Sequence, residues 1–119
     1  MLGLGTTLGL IAAILTASAP SIPLEPGRYQ FKHRFVEHPS IPSIGLVATI
    51  TGDKITIYNP GPGDVFPHGT IAEGTLAWHA QSRQWIIALS EADATAAEVG
   101  GCSDGPEVVD LELRIYWTC

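Results

Sequence analysis

The last eleven residues of the chain, 109–119, constrain its fold more than any other segment. Their apolar side chains fall on one parity and their polar side chains on the other; the first set is Val109, Leu111, Leu113, Ile115, Trp117 and Cys119. This alternation predicts a β-strand with one buried face and one solvated face. The strand ends on one of only two cysteines in the chain. The sequence therefore predicts a core strand that is covalently fastened at its end.

Further strands are predicted upstream, each bounded by turn residues. Segments 28–35, 44–51, 54–59, 70–80 and 84–90 are rich in β-branched and aromatic residues. The pair Gly52-Asp53 separates two of them and predicts a hairpin. Gly74 is expected at a bulge or a close approach between strands, and 91–99 as a loop with possible helical character. We therefore expect an all-β fold, a small antiparallel β-barrel or sandwich of about six strands.

The two cysteines, Cys102 and Cys119, are expected to form one disulfide. A straight strand over 107–118 would span about 36 Å at ~3.3 Å per residue, whereas the Cα atoms of a disulfide lie about 6 Å apart. Residues 103–106 are too few to return over that distance. The residues Asp104-Gly105-Pro106-Glu107 are typical of a helix start. We therefore expect a short helical turn near 106–110, which shortens the path, and a strand from Leu111 to Thr118.

The N-terminal segment is expected to direct export. An apolar run at 8–15 precedes small residues of the Ala-x-Ala type, which predicts a signal peptide over 1–19 with cleavage after Ala17 or Ala19. The alternative is a retained membrane anchor. Residues 20–27 hold three prolines and predict an extended leader, and 28–119 is expected to form a single β domain. The expected location is secreted or periplasmic.

Negative charge is concentrated in the second half of the chain. The net charge is −6, and no Lys or Arg occurs between Arg83 and Arg114. This pattern predicts either a solvated face or a surface that attracts a basic protein, and it argues against binding to nucleic acid. The candidate contact residues are Glu91, Asp93, Glu98, Asp104 and Glu107. The proline-rich loops 37–43 and 59–68 are expected to contribute to the same surface.

Catalytic and metal-binding motifs are not apparent in the sequence. His33, His38, His68 and His79 show no spacing that would chelate a metal, and no serine occupies a nucleophile elbow. His33 falls on the aromatic side of the first strand, where a hydrogen-bonded core histidine is expected. We therefore predict no catalytic residues, no metal and no cofactor.

The aromatic residues suggest a second hypothesis about function. Tyr29, Phe31, Phe35 and Trp78 are candidates to line a ligand cavity, although core packing is expected to use most aromatic side chains. The layout resembles small periplasmic β-barrel inhibitors and lipocalin-like carriers. The first hypothesis is an exported binding module, such as an inhibitor or immunity-type protein, that acts on another protein through its acidic surface. The alternative is a carrier of a small apolar ligand.

Overall fold

The computed structural model describes residues 19–119, which fold into a seven-stranded closed β-barrel. Each strand is hydrogen-bonded to the next in chain order. The strands are β1 (Gly27–Phe35), β2 (Gly45–Thr51), β3 (Lys54–Asn59), β4 (Gly69–His79), β5 (Gln84–Ala88), β6 (Glu107–Asp110) and β7 (Ile115–Thr118). A 3-10 helix, Glu91–Thr95, lies between β5 and β6. The all-β prediction is confirmed, and the architecture is the barrel.

Because the barrel has an odd number of strands, seven, its first and last strands run in the same direction. Six neighbouring pairs are antiparallel, and β1 closes the ring by pairing with β7 in parallel, with Lys32 opposite Ile115 and Phe35 opposite Thr118. One end of the barrel, here called the upper end, therefore carries the connections that begin after β1, β3 and β5, namely 36–44, 60–68 and 89–106. The lower end carries the tight turns 52–53, 80–83 and 111–114.

The barrel interior is filled by side chains from all seven strands. Its fully buried members include Leu46, Ile50, Ile55 and Ile57 at 0–1% exposure, and Tyr29, Ile71 and Trp85 pack against them. About eight strands give an interior just wide enough for side chains to fill it, so a filled core is expected of seven. A second cluster of Ile86, Ala88 and Val108 lies outside β5 and β6, beneath Val99 of the 89–106 connection.

Gly74 is the position where β4 and β5 approach most closely. A Cβ atom there would lie 2.6 Å from the carbonyl oxygen of Ala88 and 2.9 Å from Cγ2 of Ile87. The register irregularity of this strand falls elsewhere, opposite Ile57 and Tyr58. Of the two roles predicted for Gly74, the structure therefore shows close approach and not a bulge.

The predicted Cys102–Cys119 disulfide is confirmed, but the path that closes it differs from the prediction. The Cα atoms lie 4.6 Å apart. The helical turn predicted near 106–110 is wrong, because Glu107–Asp110 is the strand β6. The predicted strand Leu111–Thr118 is wrong over its first half, because residues 111–114 form a turn and β7 begins at Ile115. A hairpin, and not a helix, brings Cys119 back to Cys102.

This hairpin also changes which side chains are buried near the end of the chain. Leu113 lies in the turn and is 66% exposed, whereas Tyr116 is 2% exposed and belongs to the interior cluster. Trp117 packs with the outer cluster. Arg114 adopts a left-handed backbone conformation, φ 59°, which interrupts the alternation of the two faces.

The N-terminal predictions fall largely outside the described residues. Of the predicted signal peptide only Ala19 is described. In the predicted leader, Ile22 and Leu24 pack against the interior cluster, and the Tyr29 hydroxyl donates to the Glu25 carbonyl at 2.5 Å. The leader is therefore attached to the domain. Residues 19–119 contain no helix with the length and apolar character needed to cross a bilayer.

Candidate functional site

The three connections of the upper end carry a strongly one-sided charge. Connections 36–44, 60–68 and 89–106 contain no Lys or Arg, and they hold six acids, Glu37, Asp64, Glu91, Asp93, Glu98 and Asp104. The longest connection then folds over the outer wall of β4 to β6, where the Ala96 carbonyl accepts a hydrogen bond from His79 Nε2 at 2.7 Å. Fold topology thus starts all three acid-bearing loops from the same end of the barrel, and the loops together are here called the acidic surface. The longest loop carries Glu98 down the wall to the 80–83 turn.

The acids predicted as contact residues do not all have the same role. The Asp93 carboxylate accepts a hydrogen bond from the Leu89 amide at 2.8 Å, and Glu107 accepts one from the Tyr116 hydroxyl. Burial and this carboxylate together raise the pKa of Tyr116. Glu91, Glu98 and Asp104 are exposed. These three carboxylates are the members of the predicted set best placed to meet a partner.

Each connection of the upper end also exposes one large apolar side chain. Ile41, Val65 and Leu89 are 54%, 39% and 82% exposed, and the fourth such residue among 19–119, Leu113, lies at the lower end. Single exposed apolar side chains are common on protein surfaces, but here one comes from each of the three acidic loops. The exposure of these three residues was not predicted from the sequence, because loop segments lack the periodic spacing of apolar residues that indicates a buried face.

Asn59 organises the proline-rich loop 59–68. Its side chain is 1% exposed, and its amide nitrogen donates to the carbonyls of Pro62 at 3.2 Å and Phe66 at 2.9 Å. Its amide oxygen accepts the Gly61 N–H at 3.0 Å. His68 adds a further contact, with Nδ1 3.0 Å from the Gly61 carbonyl oxygen. The loop is held in one shape by its own residues, which lowers the entropic cost of binding a partner.

His33 is a buried histidine that contacts two of the upper-end connections and β7. It is fully buried, its Nδ1 lies 2.7 Å from Ser43 Oγ, and its Nε2 lies 2.8 Å from Thr118 Oγ1. The ring packs edge-on against Phe35 at 4.4 Å and Phe66 at 4.9 Å. Burial, assisted by the Arg34 charge, lowers the pKa of His33. The expected core histidine is thus present, and it connects the 36–44 and 60–68 connections with β7.

The Ser43–His33 pair resembles the serine–imidazole pair that activates a nucleophile. Here, however, the second ring nitrogen meets a threonine hydroxyl and not a carboxylate. The ring is fully buried between two phenyl groups. The contacts of this pair are those of a hydrogen-bonded core group.

The disulfide lies at the same end of the barrel. Cys102 belongs to the 89–106 connection and Cys119 follows β7, so the bond ties the acidic surface to the closing strand. Glu37 Oε1 lies 3.1 Å from Cys102 Sγ and 3.9 Å from Cys119 Sγ. These three side chains could otherwise group around a metal ion, but both sulfur atoms are committed to the disulfide.

The four predicted ligand-lining aromatics do not surround a common space. Tyr29 lies towards the lower end with the Arg114 guanidinium 4.9 Å from its ring centre, whereas Phe35 lies at the upper end beside His33. Phe31 is 3% exposed within the packed core. Trp78 contacts Trp85 near the lower end, with ring centres 5.4 Å apart.

No protein-family model, curated protein or solved structure matches this chain.

Proposed function

We propose that this protein is an exported binding module that recognises a basic protein through its acidic surface. The observation that carries the proposal is that the three loops that begin at the upper end hold six carboxylates and no Lys or Arg. Lys54 lies beside Glu91 on the adjoining wall. Such a field speeds association with a basic partner and disfavours acidic ones. The disulfide supports export, because disulfides persist in oxidising compartments.

The apolar residues of the three loops are the proposed source of affinity. Charged rims mainly set the association rate and specificity, while a few desolvated apolar or aromatic groups contribute most of the binding energy. Ile41, Val65 and Leu89 supply one such group from each connection. The Asn59 contacts and the disulfide hold these loops in place before binding, as in preorganised inhibitors.

The proposal is tested by capture of proteins from the exported fraction of the native host. Immobilised wild-type protein is compared with Ile41→Ser/Val65→Ser/Leu89→Ser and with Glu91→Gln/Glu98→Gln/Asp104→Asn. Leu113→Ser is the matched control, since Leu113 is equally apolar and exposed but lies at the lower end. We expect a basic protein to bind the wild type and the control, and to be lost from both upper-end variants. Equal capture by all four proteins, or none by the wild type at low salt, would refute the proposal.

A further inference from the structure

All three tryptophans of the chain line a single cleft in the barrel wall. Trp78, Trp85 and Trp117 border a space of about 250 Å³. It follows the edge where β5 begins and β6 ends, with Trp78 and Trp85 on the inner side and Trp117 on the outer side. The rings of Trp78 and Trp85 meet at an interplanar angle of 67°. Half-buried indole rings are thus concentrated at one place.

The indole nitrogens of this tryptophan cleft are available as hydrogen-bond donors. Within residues 19–119, no indole nitrogen is bonded to another residue, and no buried side-chain nitrogen or oxygen lacks a partner. The three N–H groups therefore reach solvent. Because an indole N–H can only donate, a complementary ligand must present acceptor oxygens as well as an apolar face.

The remaining lining combines apolar residues (Val108, Val109 and Leu111) with polar side chains of mixed charge. The polar lining residues are Arg83, Gln84, Asp110 and Glu112. Asp110 Oδ1 already accepts the amides of Glu112 and Leu113 at 2.9 and 2.8 Å, which fixes the orientation of this carboxylate. The planar groups of Arg83, Gln84 and Glu112 each carry two polar atoms side by side, which matches two neighbouring hydroxyls. One positive and two negative side chains leave the lining with a net charge of −1, so a cation is the competing class of ligand.

We propose that the tryptophan cleft binds one pyranose ring of a carbohydrate. A pyranose has an apolar C–H face that stacks on indole and a rim of hydroxyls that both donate and accept. The volume of about 250 Å³ lies just below the range of about 300–1,000 Å³ for drug-sized ligands, so a single ring fits. This inference is independent of the proposed function, because it rests on the tryptophan cleft and not on the carboxylates of the three loops.

Proton–nitrogen NMR of the ¹⁵N-labelled protein tests the proposal directly, because the three indole N–H groups give separate signals that all report on the cleft. The probes are the methyl pyranosides of glucose, galactose, mannose and N-acetylglucosamine, together with tetramethylammonium. We expect at least one glycoside to shift the indole signals in a saturable way. No shift with any glycoside, or a shift with tetramethylammonium alone, would overturn the proposal.

A matched pair of variants separates cleft binding from a general effect on the protein. Gln84→Ala removes a lining amide, whereas Gln81→Ala removes an exposed amide of the 80–83 turn that does not line the cleft. We expect Gln84→Ala to weaken glycoside binding by about fivefold to tenfold, as for one or two hydrogen bonds, and Gln81→Ala to leave it unchanged. Equal affinities in the two variants would contradict the assignment.

Discussion

His33 links the chemistry of one side chain to the shape of the upper end. Its ring touches the 36–44 connection through Ser43, the 60–68 connection through Phe66 and β7 through Thr118. Of these contacts, only the alternation of β1 could be read from the sequence. Ser43, Phe66 and Thr118 come from distant segments, and no local pattern encodes their meeting at one imidazole.

Stability should depend on pH through His33. Because burial lowers the pKa of His33 in the folded protein, the unfolded chain takes up the proton first. The free energy of unfolding should therefore decrease as pH falls below about 6.5, the ordinary histidine value, and level off below the pKa of the folded state. Urea denaturation between pH 7.5 and 5.5 should show this decrease.

His33→Gln should lessen that pH dependence, whatever its effect on stability at neutral pH. His38→Gln serves as the control, because His38 is exposed and its replacement should preserve the decrease. Equal pH dependence in the wild type and His33→Gln would show that another group is responsible.

Comparison of the β2–β3 hairpin with the final hairpin shows when the sequence predicts strand bounds correctly. The strands β2 and β3 and their Gly52-Asp53 turn follow the predicted bounds closely, because alternation and turn residues agree there. At 109–119 the prediction of one strand was wrong because the turn residues Leu111 and Leu113 continue the alternation of apolar and polar residues found in the flanking strands. Asp110 was the one indication of a turn in this segment, because aspartate side chains often accept hydrogen bonds from the backbone of a turn. Here its side chain accepts two amides of the turn.

Packing between β4 and β5 should be disrupted by one added methyl group. Gly74→Ala places a Cβ atom against the Ala88 carbonyl and Ile87, and backbone atoms cannot move aside as a flexible side chain can. We expect a loss of about 1–3 kcal/mol in unfolding free energy, measured by urea denaturation. Gly45→Ala is the matched control, because a Cβ atom there meets nothing within 4 Å. Similar losses in both variants would rule out this steric explanation.

The barrel as a whole closes on its shortest strands. Both β6 and β7 have four residues, and β7 must pair with β6 on one side and β1 on the other. The disulfide fastens the residue after β7 to the 89–106 connection. The sequence predicted both the bond and a latching role, but the hairpin geometry beneath it depends on contacts across the closed ring.

Removing the disulfide should weaken the whole fold. Cys102→Ser/Cys119→Ser should lower the unfolding free energy by about 3 kcal/mol, the chain-entropy value for a loop of this size. Denaturation of the wild type with and without a reducing agent provides the control, and reduction should shift its midpoint to that of the double variant. Unchanged stability in both cases would mean that strand pairing alone holds β7 in place.

The parallel pairing of β1 with β7 has a practical consequence for handling the protein. Gly27 begins β1 at the lower end, and Cys119 follows β7 at the upper end. The position of an affinity tag therefore decides which end of the barrel lies next to the support. A tag placed ahead of residue 19 would attach through the leader beside Tyr29, on the side away from the three long loops. A tag after Cys119 would extend from beside the disulfide and Glu37, and could shield the surface that the capture experiment is designed to present. Immobilisation through the N-terminal side is therefore the orientation of choice.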